Sequence, residues 1–182
     1  MRKELPKRKC LRLKGYDYSN AGCYFVTICV KDKHEILGEI VGGGVPDAPI
    51  NVIDAPYCEL SKIGQIVDSR IQEMNNLYND LEITKYIIMP NHIHMIVCIV
   101  NSELSIVPES GSSGTPTPTN AKIPSFISTL KRYTNKECGF SFWQRSYHDR
   151  IIRDEEEYNR IWKYIDENPL NWDSDEYFCI MK

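Results

Sequence analysis

Two of the four histidines in this chain stand two residues apart, in the run Met89-Pro90-Asn91-His92-Ile93-His94-Met95-Ile96-Val97. In a β-strand, side chains at positions i and i+2 point to the same face of the sheet. The spacing therefore predicts that the imidazoles of His92 and His94 lie side by side. Since imidazole is a common metal ligand, both could bind one metal ion. Two histidines on the polar face of a strand, each satisfied by hydrogen bonds, would have the same spacing.

A second candidate pair lies near the end of the chain, where Tyr164 and Asn168 are four residues apart in a helical pattern. Side chains four apart share one face of a helix. A phenol can attack as a nucleophile, and a neighbouring carboxamide can support a metal. A helical tyrosine is more often a core or rim residue, and the chain has eleven tyrosines. The spacing alone leaves both interpretations open.

The elements that position the histidines are predicted to form a hairpin. Ile83 to Met89 has the β-branched composition of a strand, and Pro90-Asn91 turns the chain directly into a second strand, His92 to Val100. Tyr24 to Val30 predicts an earlier strand, and Trp143 to Arg153 predicts a later one.

Three helices are predicted from apolar residues at three-and-four spacing and from capping signals. They run from Ser61, an N-cap, to between Asn75 and Tyr78; from Pro124-Ser125 to just before Gly139; and from a capping-box-like start at Asp154 and Glu157 to Asn168-Pro169. The element order is strand, helix, strand, strand, helix, strand and a last helix. This order predicts an α+β, ferredoxin-like split βαβ fold (βαββαβ) with an antiparallel sheet and an additional C-terminal helix.

The chain of 182 residues is predicted to be a single domain with three irregular parts. Residues 1–20 form a basic arm. Residues 38–60, which contain three consecutive glycines and three prolines, are predicted to be an irregular insertion, and residues 101–120 a flexible Ser/Thr/Gly/Pro loop.

The composition is that of an ordinary globular protein, with 42% hydrophobic and 26% charged residues. No apolar run reaches the length of a membrane span, so we expect a cytoplasmic protein without a membrane partner. The net charge of −3 argues weakly against nucleic-acid binding. The charge distribution argues the other way, because residues 1–14 carry seven cations against the single anion Glu4. A solvated terminus would show the same charges.

The seven cysteines are odd in number, scattered and without a Cys-x-x-Cys pair. Cys29 and Cys98 lie inside apolar runs, where a reduced thiol behaves as a small hydrophobe. The sequence therefore predicts neither a disulfide framework nor a zinc finger.

The stretch Met89 to Val97 resembles the histidine–hydrophobe–histidine (HUH) motif of the single-tyrosine transposases encoded by bacterial insertion sequences. The ending Tyr164-Ile165-Asp166-Glu167-Asn168-Pro169 is similar to the REP-associated tyrosine transposase branch, which has Asn where the insertion-sequence branch has Gln. Two further stretches are similar to the family: Gly15 to Ser19 leading into Tyr24 to Cys29, and Phe142 to Tyr147 leading to Ile151 to Arg153. Residues 38–60 and 101–120 have no counterpart.

This resemblance implies a metal-dependent endonuclease that cleaves and rejoins single-stranded or hairpin DNA. It implies that Tyr164 is the nucleophile, forming a 5′-phosphotyrosine intermediate, and that His92, His94 and Asn168 hold a divalent metal. Mg or Mn is the metal the family implies, although two imidazoles and an amide suit Mn or Ni better than Mg. The alternatives are a non-catalytic DNA-binding module of the same fold and a metal-dependent phosphodiesterase that forms no covalent intermediate.

Further residues are predicted from charge and ring type to contact DNA, either as phosphate ligands or as stacking platforms. They are Arg8, Lys9, Arg12, Lys14, Tyr16 and Tyr18 of the arm and Lys131, Arg132 and Lys136 of the second helix. Tyr133 on that helix is a rival nucleophile but is interpreted as a core or DNA-facing residue. His148 could reach the groove and is interpreted as a structural strand histidine. The sequence leaves open whether the protein acts as a monomer or a homodimer.

Overall fold

The computed structural model describes residues 21–42, 55–100 and 122–175. The strands in these ranges are β1 (Gly22–Cys29), β2 (Gly38–Val41), β3 (Tyr57–Leu60), β4 (Leu81–Met89), β5 (His92–Ile99) and β6 (His148–Ile152). The helices are α1 (Lys62–Leu77), α2 (Lys122–Cys138) and α3 (Glu155–Glu167), with short 3₁₀ helices at Lys31–Lys33 and Pro169–Ser174.

Four strands form one sheet in the spatial order β4-β5-β1-β6, and each neighbouring pair is antiparallel. With α1 between β1 and β4 and α2 between β5 and β6, this is the split βαβ arrangement. The predicted ferredoxin-like fold with an additional C-terminal helix is therefore confirmed.

The sheet is covered on both faces, so side chains of the central strand β5 are buried on each side. Ile93, Met95 and Val97 point into the larger apolar core, which contains the inward residues of α1 and α2. Ile96 points to the other face, where it packs with Ile161 and Ile165 of α3. Because side chains alternate along a strand, His92 and His94 share the α3 face with Ile96.

The predicted hairpin between β4 and β5 is present, with Pro90 and Asn91 as its two-residue turn. Neighbouring chain segments bond to this turn. The amide of Val30 donates to the carbonyl of Asn91 (2.8 Å), and the amide of Leu37 donates to the carbonyl of Pro90 (2.9 Å). The histidines therefore enter a strand whose start is fixed by backbone hydrogen bonds.

The helix starts agree with their capping signals, with one difference. The amide of Gly64 donates to Ser61 Oγ, and the amide of Glu157 donates to Asp154 Oδ1. Helix α2 begins at Lys122, two residues before the predicted Pro124. A proline in the first turn removes no helical hydrogen bond, because the first four amides of a helix have no partner within it.

Two predicted segments differ from the structure. Residues 38–60 are not irregular throughout, because β2 and β3 at the two ends of this segment pair as an antiparallel two-stranded sheet. The predicted strand Trp143 to Arg153 contains only β6, and Trp143 makes an isolated bridge to Val30 instead. The glycines and prolines of this segment suggested irregular structure. The two strands have only four residues each, which is too short for a clear alternating pattern.

The expectation of reduced cysteines is also wrong for one pair, because Cys23 and Cys98 form a disulfide. They are directly opposite each other in β1 and β5. Their separation of 75 residues in sequence hides this contact, which only the strand register reveals.

No helix among the described residues is long and apolar enough to cross a membrane. The predictions for the basic arm at 1–20 and the loop at 101–120 lie outside the described residues, as do residues 43–54 within the predicted insertion.

Candidate active site

The two histidines of β5 lie side by side, as their spacing predicts. Their ring centroids are 4.4 Å apart, and both residues are almost completely buried. They occupy the N-terminal end of the strand, directly after the hairpin turn and on the face that α3 covers. The site therefore lies between the sheet and α3.

Each ring is oriented by a hydrogen bond at Nδ1. His92 Nδ1 donates to Asn91 Oδ1 at 2.9 Å, and Asn91 keeps that oxygen turned towards the ring because its Nδ2 donates to the carbonyl of Lys33. His94 Nδ1 is 2.9 Å from Thr27 Oγ1 on β1. A neutral imidazole that donates through Nδ1 carries its lone pair on Nε2, the atom that then binds a metal.

The hydroxyl of Tyr164 reaches this pair from α3. Its oxygen lies 3.3 Å from Nε2 of His94, and the residue remains 40% exposed. Phe25 of β1 packs against both rings, stacked on His94 with centroids 5.1 Å apart and edge-on to Tyr164 at 6.0 Å. The phenol is thus held over one histidine while one side stays open to solvent.

Asn168 and Asp175 complete the site from the end of α3 and the 3₁₀ helix that follows it. Asn168 is buried at the C-cap of α3, and its Nδ2 donates to Asp175 Oδ2 at 2.9 Å. The same carboxylate oxygen is 3.5 Å from the hydroxyl of Tyr164. Trp172 stacks on His92 with centroids 6.0 Å apart, which closes the site on that side. Sequence reasoning did not select Asp175.

These groups fit a divalent metal. One ligand atom from each of His92, His94 and Asp175 lies within 4.8 Å of the others. The side chain of Asn168 interacts with His92 and raises its pKa, and its buried Oδ1 has no other hydrogen-bond partner among the described residues. A buried acceptor of this kind is costly unless a cation or donor faces it. Two imidazoles with oxygen ligands suit Mn²⁺, and the carboxylate makes the set more favourable for Mg²⁺ than imidazoles and an amide alone.

A β-bulge in β4 helps to hold α3 in place. The strand register shifts between Ile83 and Lys85, so Thr84 and Lys85, although consecutive, both contact α3. Thr84 Oγ1 accepts a hydrogen bond from Tyr158 at 3.0 Å. Lys85 forms a salt bridge with Asp166 and lies over the ring of Trp162. These polar contacts add to the apolar packing of the helix that carries Tyr164.

The other predicted site residues are not brought to this site. Arg132, Tyr133 and Lys136 lie on α2, which packs on the opposite face of the sheet. Lys131 donates to the carbonyls of Gln144 and Ser146, both at 2.8 Å. The remaining predicted DNA contacts lie outside the described residues: Arg8, Lys9, Arg12, Lys14, Tyr16 and Tyr18.

His148 lies on the same face of the sheet as the candidate site. It is exposed at the start of β6, and it is the direct cross-strand partner of Thr27, which in turn is the partner of His94. The three residues therefore form one row across the face of the sheet that carries the site.

Known proteins are similar to this chain both in sequence and in structure. No protein-family model matches the chain. Over an alignment of 182 residues, it is 30% identical to an uncharacterized protein of Haemophilus influenzae, and the alignment covers 94% of this chain and 93% of that protein. The chain belongs to the same family as that protein.

In structure, the chain is similar to a REP-associated tyrosine transposase that was solved bound to a REP hairpin. The TM-score is 0.56 and the sequence identity 16%, and the match covers 83% of this chain and 68% of the transposase. The likeness establishes a common fold, whereas function has to be argued from the site.

Burial changes the protonation of both histidines. It lowers the pKa of His92 to about 4, although the charge of Asp175 acts in the opposite direction. Burial, followed by the proximity of His92, also lowers the pKa of His94 well below its usual 6.5. Both rings are therefore neutral at neutral pH, which is the form that binds metals.

The metal-free protein is expected to lose stability as the pH falls from about 6.5 towards 4. The unfolded chain takes up protons at its histidines near pH 6.5. The folded chain resists this uptake down to about pH 4 at His92. Stability from this source is therefore fully present above pH 6.5 and decreases below it. Urea denaturation in the presence of a chelator at pH 7.5 and pH 5 measures the loss.

A His94→Asn variant should lose less stability than the wild type between these two pH values, because one of the two buried groups is gone. His148→Asn is the matched control, because it replaces an exposed histidine outside the buried pair. An equal acid sensitivity in His94→Asn and wild type would contradict the interpretation.

Proposed function

We propose that the protein cleaves and rejoins single-stranded or hairpin DNA through a 5′-phosphotyrosyl intermediate on Tyr164. The observation that carries the proposal is the 3.3 Å distance between the hydroxyl of Tyr164 and Nε2 of His94, inside a set of groups that can bind a metal. The structurally similar transposase was solved with a REP hairpin, which supports DNA as the partner.

The metal would be held by His92, His94 and Asp175, with Asn168 beside them. When bound, it would neutralise charge on the phosphate and favour ionisation of the phenol. We propose Mn²⁺ or Mg²⁺ because nitrogen and oxygen donors are combined in one site.

The chain's own groups would carry out cleavage and rejoining by the same steps in opposite directions. The phenolic oxygen of Tyr164 attacks the phosphorus atom, and its proton can pass to the Asp175 carboxylate 3.5 Å away. The bond from phosphorus to the 3′ oxygen breaks, and that oxygen takes a proton from the solvent and leaves as a 3′-hydroxyl. Attack of another 3′-hydroxyl on the phosphotyrosine reverses the sequence, so the strand is rejoined without an external energy source.

A single copy of the chain supplies all of these groups. His92 and His94 come from β5, Tyr164 from α3, and Asn168 and Asp175 from the residues that follow α3. We therefore propose that a monomer is sufficient for cleavage.

The proposal is tested with hairpin oligonucleotides that have randomised single-stranded flanks, labelled at one end and incubated with Mn²⁺. A 5′-phosphotyrosyl link retains the downstream fragment, so a 3′ label should migrate with the protein on a denaturing gel and a 5′ label should not. Cleavage without any protein-linked label would favour a hydrolytic phosphodiesterase. Binding without cleavage would favour a non-catalytic DNA-binding module.

A further inference from the structure

Two arginines flank one buried carboxylate beside the candidate site. Glu157 of α3 is 6% exposed, and Arg150 of β6 and Arg160 of α3 both form salt bridges with it, the second at 3.8 Å. The side chains of the two arginines are 60% and 66% exposed. Two guanidinium groups against one carboxylate give this group of three side chains a net positive charge.

The cluster formed by Arg150, Glu157 and Arg160 lies near Tyr164, as two structural relationships show. Arg160 is four residues before Tyr164 on α3, so the two side chains share one helix face. Arg150 is the direct cross-strand partner of Phe25, whose ring contacts both His94 and Tyr164. The arginines and the phenol therefore belong to one continuous surface.

A purely structural salt bridge does not account for this arrangement. Glu157 already accepts a hydrogen bond from the amide of Arg153, and this bond, followed by the charges of Arg150 and Arg153, lowers its pKa. The buried carboxylate needs a cationic partner, which Arg150 supplies, so the more distant guanidinium of Arg160 is not needed to pair it. A guanidinium has five N–H donors, and one carboxylate can occupy only some of them. Each arginine therefore retains donors that are available to a ligand from solvent.

We propose that Arg150 and Arg160 bind a DNA phosphate that flanks the one attacked by Tyr164, while Glu157 fixes the direction of both guanidinium groups. Arginine matches the geometry of phosphate through paired hydrogen bonds. Three acids, Asp154, Glu155 and Glu156, occupy the start of α3 beyond the cluster. They repel a phosphate backbone, so the contact is confined to the surface between the first turn of α3 and Tyr164. This inference rests on the proposed function.

The test measures binding of fluorescent hairpin DNA with single-stranded flanks over 50–300 mM salt in a Tyr164→Phe background, which prevents cleavage. Each phosphate contact of single-stranded DNA contributes about 0.7 to the slope of log K against log salt. Arg150→Gln and Arg160→Gln should each lower the slope by about this amount and weaken binding roughly three- to tenfold at low salt. Arg160→Lys should restore most of the slope, because the charge is retained.

Two controls remove one charge elsewhere. Lys163→Gln removes a 72% exposed cation of α3 outside the cluster, and Arg132→Gln removes one from the opposite face of the sheet. Both should keep the wild-type slope. Thermal melting of each variant verifies folding. Unchanged slopes in Arg150→Gln and Arg160→Gln, or a loss in Arg132→Gln instead, would overturn the phosphate subsite while adduct formation by the wild type still supports the function. Absence of any adduct or binding in the wild type would overturn both.

Discussion

Replacing Tyr164 with phenylalanine is expected to abolish the covalent protein–DNA adduct, lowering its rate of formation at least about a thousandfold. The variant loses only the oxygen that attacks phosphorus. The ring keeps its contact with Phe25, and its 40% exposure means that the fold depends little on it. Transfer of 3′-labelled DNA to the protein, measured on denaturing gels over time, gives the rate.

Tyr133→Phe is the matched control. Tyr133 is similarly exposed, at 43%, but lies on α2 at the opposite face of the sheet. This variant should form the adduct at the wild-type rate. An adduct that persists in Tyr164→Phe, or that disappears in Tyr133→Phe, would contradict the assignment of the nucleophile.

The second large effect is expected on metal affinity. His94→Ala removes one of the two imidazole ligands and should weaken Mn²⁺ binding about 100-fold or more, with a parallel loss of adduct formation. Removing the metal from the wild type with a chelator should stop adduct formation in the same way. Binding is measured by the electron paramagnetic resonance signal of unbound Mn²⁺, which does not depend on DNA or catalysis.

The same titration separates Asp175 from neighbouring acids. Asp175→Asn should weaken Mn²⁺ binding about tenfold, because the charge of one oxygen ligand is lost while its shape remains. Asp173→Asn, two residues away and exposed, should bind like the wild type. Equal affinities for Asp175→Asn and Asp173→Asn would exclude Asp175 from the metal site.

The sequence predicted the hairpin that carries the histidines because this feature is local. A two-residue turn between two apolar runs sets the register of β4 and β5, and the two-residue periodicity then places His92 and His94 on one face. The fold followed from the order of elements, each with its own periodicity or cap. These signals depend on neighbouring residues and need no knowledge of distant contacts.

Asp175 could not be selected in this way. It reaches the site because the 3₁₀ helix Pro169–Ser174 turns the chain back after α3. Nothing in its local sequence distinguishes it from Asp173. The Cys23–Cys98 disulfide was missed for the same reason, since it depends on the pairing of β1 with β5 across 75 residues.

The basic residues of α2 show a different limit. Charge and a helical pattern suggested that Lys131, Arg132 and Lys136 contact DNA, but sequence does not reveal which face of the sheet a helix covers. In the structure, α2 packs on the face opposite to the histidines. Burial also lowers the pKa of Lys131 to about 8, and its ammonium group bonds to the loop before β6. Arg150 and Arg160, by contrast, lie near Tyr164 only because β6 and α3 are adjacent in the fold, which the sequence does not reveal.

The most direct test of the central claim is to identify the amino acid that carries the DNA. Adduct formed with hairpin DNA and Mn²⁺ is digested with trypsin and a nuclease, and the nucleotide-linked peptide is sequenced by mass spectrometry. We expect the modification on Tyr164, at the start of the tryptic peptide that follows Lys163. A nucleotide linked to any other residue, or complete cleavage of the DNA with no linked peptide, would contradict the account.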